Sequence, residues 1–343
     1  MIGLSMQLPT TLTRKNIGNF KHSITMLMGM WLIVGLFIDG FAHNHGAVET
    51  FFTPWHAILY SGYLACAVWI FILTYQNKSR ANHQASWAEA IPTGYKFGVA
   101  GVIVFFIGGL GDMYWHTVLG IEKNIAALLS PTHLILLTGA LMILTSPYRA
   151  MSHSENEAAP SFRQLLPALT SVALTFAVMA FFLMYAWSFR QNLWMAREDD
   201  AVARAVVDFM VTTMLLVLPI MLVLRRWKLP FGTVTYFFVF EAVLMAVLDG
   251  FSHYGSIVIL LISGIVGDIL FRSIKNKESC VWQYRVVFFL LPVLIWGLYF
   301  ADMSMHQTLD WAPELWGGTM FICGLCSMGL SILTTPITHR RIQ

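Results

Sequence analysis

The sequence predicts an all-α protein, a polytopic membrane bundle of about ten transmembrane helices. Three observations predict it: the composition, a series of long apolar segments, and the sidedness of the basic residues. Of 343 residues, 57% are hydrophobic and only 11% charged, and the mean hydropathy is +0.67. A soluble domain carries about 25% charged residues. That deficit excludes an ordinary cytosolic enzyme, a disordered chain and a nucleic-acid binder. A net charge of +3 is too small to call for a polyanionic partner. The 12 Trp and 25 Phe suit lipid-facing and interfacial positions, so the lipid bilayer is the first partner. Four Cys in a chain of this length do not make a disulfide framework. The chain opens on a polar stretch and its first apolar run is long enough to span, so no removable signal peptide is expected.

A spanning helix needs roughly 20 mostly apolar residues. Segments that meet this requirement fall at 23–44, 54–75, 95–116, 130–147, 164–187, 204–224, 231–252, 254–272, 284–306 and 314–335. The second opens on Thr53-Pro54 and the fourth on Ser130-Pro131. Ser and Thr are good N-caps, and Pro is favoured at the first helical position. The third and ninth turn polar near their ends. With the N-terminus placed in the cytoplasm, all but four of the 21 Lys and Arg fall on the cytoplasmic side; the exceptions are Lys123, Arg190, Arg197 and Arg204. This is the asymmetry the positive-inside rule expects. It implies a multi-pass inner membrane protein with both termini cytoplasmic.

On this topology seven of the 11 His come to the outer ends of helices: His43, His45, His56, His116, His133, His253 and His306. His22, His83, His153 and His339 read as solvated residues of the cytoplasmic side. Ionisable groups gathered at one depth of a membrane bundle point to function. Four of the seven follow an Asp by four residues, as Asp39/His43, Asp112/His116, Asp249/His253 and Asp302/His306. Each pair is expected at the outer end of an outward-running helix, where residues four apart share a face. The Pro starts of the second and fourth segments put His56 and His133 in the first turn of the next inward helix. Asp39, His43 and His56 then converge across one hairpin, and Asp112, His116 and His133 across the next. Two imidazoles and a carboxylate with open positions suit copper, zinc or non-haem iron.

Spans one to four and seven to ten read as a parallel internal repeat of a four-helix unit. Ile38-Asp39-Gly40-Phe41-Ala42-His43 matches Leu248-Asp249-Gly250-Phe251-Ser252-His253. The expected organisation is a cytoplasmic segment (1–22), a first unit with both triads (23–147), a connector with two helices (148–230), an eroded second unit (231–335) and a tail (336–343). In the second unit Ala312-Pro313-Glu314-Leu315 keeps the Pro but has Leu where the His would stand, leaving Glu314 as a substitute ligand.

At the first triad the chain resembles the C subunit of the copper membrane monooxygenases, the particulate methane and ammonia monooxygenases. That family carries Asp-x3-His-x12-His with a Phe-Thr-Pro-x-His start, and here stand Asp39, His43 and Phe52-Thr53-Pro54-Trp55-His56. The family's neighbouring site has Asn, His and His with an acidic residue between. Its counterparts here are Asp112, His116 and His133, with Glu122 between, Asp in place of Asn and a longer gap. The resemblance covers roughly residues 31–145. It implies copper at both triads, O2-dependent oxidation of a small or membrane-soluble substrate, sites on the periplasmic side, and A-type and B-type partner subunits or a copper donor protein.

Other features are secondary. His45 and Glu49 stand beside the first triad as orienting groups or alternate ligands. Glu241 lies mid-span, as a protonated, hydrogen-bonded structural residue or a proton relay. Cys323 and Cys326 in the tenth span read as packing, as do Met113, Met195, Met303 and Met305 on the outer side. Three functions therefore compete: a copper-dependent oxygenase component, a copper or zinc handling or transport protein, and a protein whose Asp-His pairs only brace hairpins. The topology has its own check. Reporter fusions at residue 1 and residue 343 are both expected to read cytoplasmic; opposite sides for the two would break the count of spans.

Overall fold

The computed structural model describes residues 17–46, 51–80, 86–120, 125–154, 159–190, 198–274 and 281–334. Residues 1–16 of the predicted N-terminal segment, the predicted tail 336–343, Glu49, Glu122, Met195, His83 and His339 lie outside them. The described chain is helical: α1 (Asn19–Asn44), α2 (Pro54–Arg80), α3 (Trp87–Ala90), α4 (Lys96–Val118), α5 (Ile125–Leu129), α6 (Pro131–Leu144), α7 (Ser146–Ser152), α8 (Phe162–Phe182), α9 (Asp199–Leu224), α10 (Thr233–Val247), α11 (Gly255–Ser273), α12 (Val281–Met305) and α13 (Pro313–Thr334). Nine stretches are long and apolar enough to cross a membrane, with α6 and α7 counted as one, and α10 is a shorter apolar helix. Each of the ten predicted spans thus has its helix. Large side chains such as Phe20, Leu64, Phe71 and Phe106 point outward and exposed, as a lipid-facing surface requires.

The main pairings are hairpins: α1 with α2 and α4 with α6 in the first half, α10 with α11 and α12 with α13 in the second. Glycines set how closely the first two approach. A Cβ built on Gly62 would lie 2.6 Å from Leu32 N, and one on Gly35 would lie 2.7 Å from Leu59 Cα. A Cβ on Gly139 would lie 2.6 Å from Phe105 N. Small residues let membrane helices touch backbone to backbone, where van der Waals packing rather than hydrophobic burial drives association.

The predicted connector is the hub. α8 packs against α1, α6, α7, α9 and α10, and 89% of its apolar window is enclosed by protein. Its inward faces carry Ala168, Ser171, Ala173, Ala177 and Ala180, all buried. Ser171 Oγ donates to Leu144 O at the bend between α6 and α7, and Tyr148 N donates back to Ser171 Oγ. The end of α1 is tied across to the second half, where Asn44 Nδ2 donates to Leu248 O at 3.1 Å.

Two local expectations are corrected. α10 stops at Val247, and the chain then turns through positive φ at Gly250 (62°) and Phe251 (64°). Asp249 and His253 therefore sit in a turn and not on an outward helix. His22 is not solvated: it is buried in α1 and its Nδ1 pairs with Tyr95 Oη at 2.9 Å. The same Tyr95 hydroxyl meets Thr25, which accepts from Trp69 Nε1. That polar knot holds α1, α2 and the start of α4 together at the N-terminal end of α1.

The glycine contacts are testable. Gly62→Leu is expected to cost about 1–3 kcal/mol through overpacking, read as a lower thermal unfolding midpoint in detergent. Leu64→Phe, on the lipid-facing side of the same helix, is expected to leave the midpoint in place.

Candidate metal centre

Each triad is assembled by one helix end and one helix start. In the first, Asp39 and His43 lie a turn apart near the end of α1, and His56 is the third residue of α2. His43 Nε2 stands 3.6 Å from Asp39 Oδ2, and His56 Nε2 stands 3.6 Å from Asp39 Oδ1. In the second, Asp112 and His116 lie near the end of α4, and His133 is the third residue of α6. Both of their Nε2 atoms face the same oxygen, Asp112 Oδ1, at 3.2 and 3.1 Å. Within each triad one donor atom from every residue lies within 4.8 Å of the others.

The N-terminal signals act twice. Ser130 caps α6 by accepting from His133 N, and its Oγ also meets His133 Nδ1 at 2.9 Å. Thr53 Oγ1 meets His56 Nδ1 at 2.8 Å in the same way. In each ring the hydroxyl takes Nδ1 and leaves Nε2 turned to the carboxylate. When Nδ1 carries the proton, the Nε2 lone pair is free for a cation, the arrangement that outer partners impose on metal-binding imidazoles.

Bracing and ligation predict different distances. A His–Asp hydrogen bond is normally 2.7–3.2 Å long. Two donors each about 2.1 Å from a tetrahedral ion stand about 3.4 Å apart. The first triad, at 3.6 Å on both sides, is too open for hydrogen bonds and close to ligand spacing. The second, at 3.1–3.2 Å, is compatible with both. In the first triad the carboxylate oxygen facing the imidazole of the next helix, Asp39 Oδ1, is buried without a hydrogen-bond partner among the described residues. A buried acceptor left in that state carries a desolvation cost that a bound cation removes.

The triads are neighbours. The rings of His56 and His116 are 6.2 Å apart, centre to centre. All six residues line one cavity of about 860 Å³, whose remaining wall is mostly apolar and comes from α1, α2, α4, α5, α6, α8 and the turn after α8. Four contributing side chains escaped the sequence reading. Tyr60 Oη donates to Asp112 Oδ2 at 2.9 Å, which links α2 to the second triad. Its signal was the four-residue step from His56, which puts both on one helical face. The hydroxyls of Thr53 and Ser130 were legible only as caps. Arg190, which follows α8, also lines the cavity; its signal was its place among the four basic residues that the sequence assigns to the outer side.

The remaining predicted residues stand apart. His45 turns away from the first triad, stacks on Phe41 and bonds Phe41 O through Nδ1 at 2.8 Å. Asp249 and His253 pair at 2.6 Å, and His306 sits 3.5 Å from Asp302, but neither pair gains a third ligand among the described residues. Glu314, in the first turn of α13, joins no such group. Glu241 is buried in α10 and away from the cavity, and its Oε1 lacks the expected hydrogen-bond partner among the described residues. Cys323 and Cys326 are free thiols within α13. Met303 Sδ accepts from Thr308, and Met305 is exposed.

Comparison of the chain with protein-family models, with curated proteins and with solved structures gives no match to any of them.

The role of the hydroxyls is separable from that of the ligands. Thr53→Val is expected to leave the helices intact and to weaken metal binding at the first triad by about 10–100-fold, with the second unchanged, as measured by competition titration with a chelator. Equal affinity in wild type and variant would remove Thr53 from the site.

Proposed function

We propose that this chain is a membrane metalloprotein that holds copper at Asp39, His43 and His56 and at Asp112, His116 and His133, and that it serves a copper-dependent oxygenase. The observation that carries the reading is the 3.6 Å separation of Asp39 from both of its imidazoles, too long for a brace and suited to a shared ion. Imidazole and carboxylate together suit copper, with zinc or iron as the other candidates. The resemblance of the first triad to the C subunit of the copper membrane monooxygenases favours copper. It also suggests A-type and B-type subunits as partners and the periplasmic side as the location.

Copper bound there supplies O2 and electron chemistry. The residues of this chain do the rest. Thr53 and Ser130 fix the imidazole orientations. Tyr60 holds Asp112 through its second oxygen. The apolar part of the wall offers room for an apolar substrate beside the ligands. Oxidation is favoured over transport because Glu241, the residue on which an ion path would depend, does not line the cavity.

Elemental analysis of copper-loaded, washed protein tests the reading. Wild type is expected to hold two ions and His43→Ala one, with His43→Ala/His133→Ala near background. Oxygen uptake on a small apolar substrate is expected to follow the copper content. Wild type at background would overturn the metal reading. Full metal content in every variant would overturn the ligand assignment.

A further inference from the structure

The cavity contains one permanent cation. Among its described lining residues, Arg190 is the only basic side chain besides the four imidazoles. Arg190 follows the 3-10 turn Met184–Ala186 at the end of α8, at the rim where α1 ends with His43 and Asn44. It is half-buried. Among the described residues no carboxylate lies within ion-pair distance of its guanidinium. Asp249 acts on it from farther away, and the Asp249 Oδ2 atom is already taken by His253 at 2.6 Å. Burial pushes the Arg190 pKa down, and the Asp249 charge opposes that shift. The guanidinium nonetheless stays charged, with five donors in a planar fork that fits a carboxylate or a phosphate.

Much of the remaining wall is apolar: Leu32, Leu36, Leu137, Val178 and Phe181 line the same cavity. A cavity of about 860 Å³ is within the range that holds a ligand of drug or lipid-fragment size, roughly 300–1,000 Å³. An apolar hold with one cationic fork at its rim is complementary to an amphiphile of opposite sign. We propose that this cavity takes an alkyl chain with an anionic oxygen head, the head on Arg190 and the chain along the apolar wall. The inference deepens the function proposed above and rests on it in one respect: Asp39 and Asp112 repel an anion until metal ions neutralise them. Anion binding is therefore stronger in the loaded protein than in the stripped one.

The test uses the full chain in lipid nanodiscs, both copper-loaded and metal-stripped, with radiolabelled decanoate, decyl phosphate, decanol and decylamine as probes. Loaded wild type is expected to bind decanoate or decyl phosphate at least about tenfold more tightly than decanol, the usual margin for a charge-assisted pair. The tighter of the two anions identifies the head. Arg190→Gln is expected to lose the preference while keeping its metal content, and Arg190→Lys to retain part of it. An unchanged preference in Arg190→Gln overturns the proposal. If that variant does not fold, the wild-type comparison decides alone: decanol or decylamine bound as tightly as the anions overturns it. Elemental analysis of the same samples separates the two claims. Absent metal with a retained anion preference removes the metal reading only, and full metal with no preference removes this one only.

Discussion

Two carboxylates placed where water is scarce govern this structure. Asp39 and Asp112 are buried within membrane-crossing helices, each facing two imidazoles. An ionised carboxylate withdrawn from water costs several kcal/mol unless a positive charge or hydrogen bonds replace the solvent. Asp112 receives a hydrogen bond from Tyr60 and lies 3.1–3.2 Å from the Nε2 atoms of His116 and His133, and no other described cationic side chain pairs with it. Neutral imidazoles with Nε2 lone pairs turned inward would worsen the position of either carboxylate, whereas a divalent ion between them resolves it. The close helix contacts at Gly35, Gly62 and Gly139 serve that arrangement, because they bring α2 and α6 close enough for His56 and His133 to reach the preceding helix.

The metal ligands were legible because their signal is local. Asp-x3-His fixes a helical face, and Thr-Pro-x-His or Ser-Pro-x-His fixes a helix start, so spacing alone sets all six residues at the right height. Whatever depends on packing between distant segments was not legible. α8 read as a connector because its apolar run has no chemical marker, yet its small residues place it at the centre. Asp249 and His253 have the spacing of the first triad, but the chain leaves helical geometry after Val247 and, among the described residues, no third ligand joins them. His22 looked like one more polar residue near a terminus; its burial follows from Tyr95, more than seventy positions later. Arg190 has no motif, and only the shared cavity connects it with the histidines.

The two halves share their order of helical hairpins and differ in chemistry. In the first, each outer helix end meets a Pro-initiated helix carrying a His. In the second, Pro313 starts α13 without one, and Asp302 and His306 are left at an exposed end. The second half supplies Leu248 as an anchor for Asn44 and the charge of Asp249 near Arg190, so it acts on two residues that line the cavity and, among the described residues, adds no ligand to either triad.

The central claim is that two imidazoles and one carboxylate of the first triad share an ion. Pulsed electron paramagnetic resonance on Cu(II)-loaded protein with the second triad disabled by His133→Ala reads this directly. The account predicts remote-nitrogen modulation from two equivalent imidazoles, falling to one in His56→Ala. A copper signal with no imidazole coupling, or one that His56→Ala leaves untouched, would contradict it.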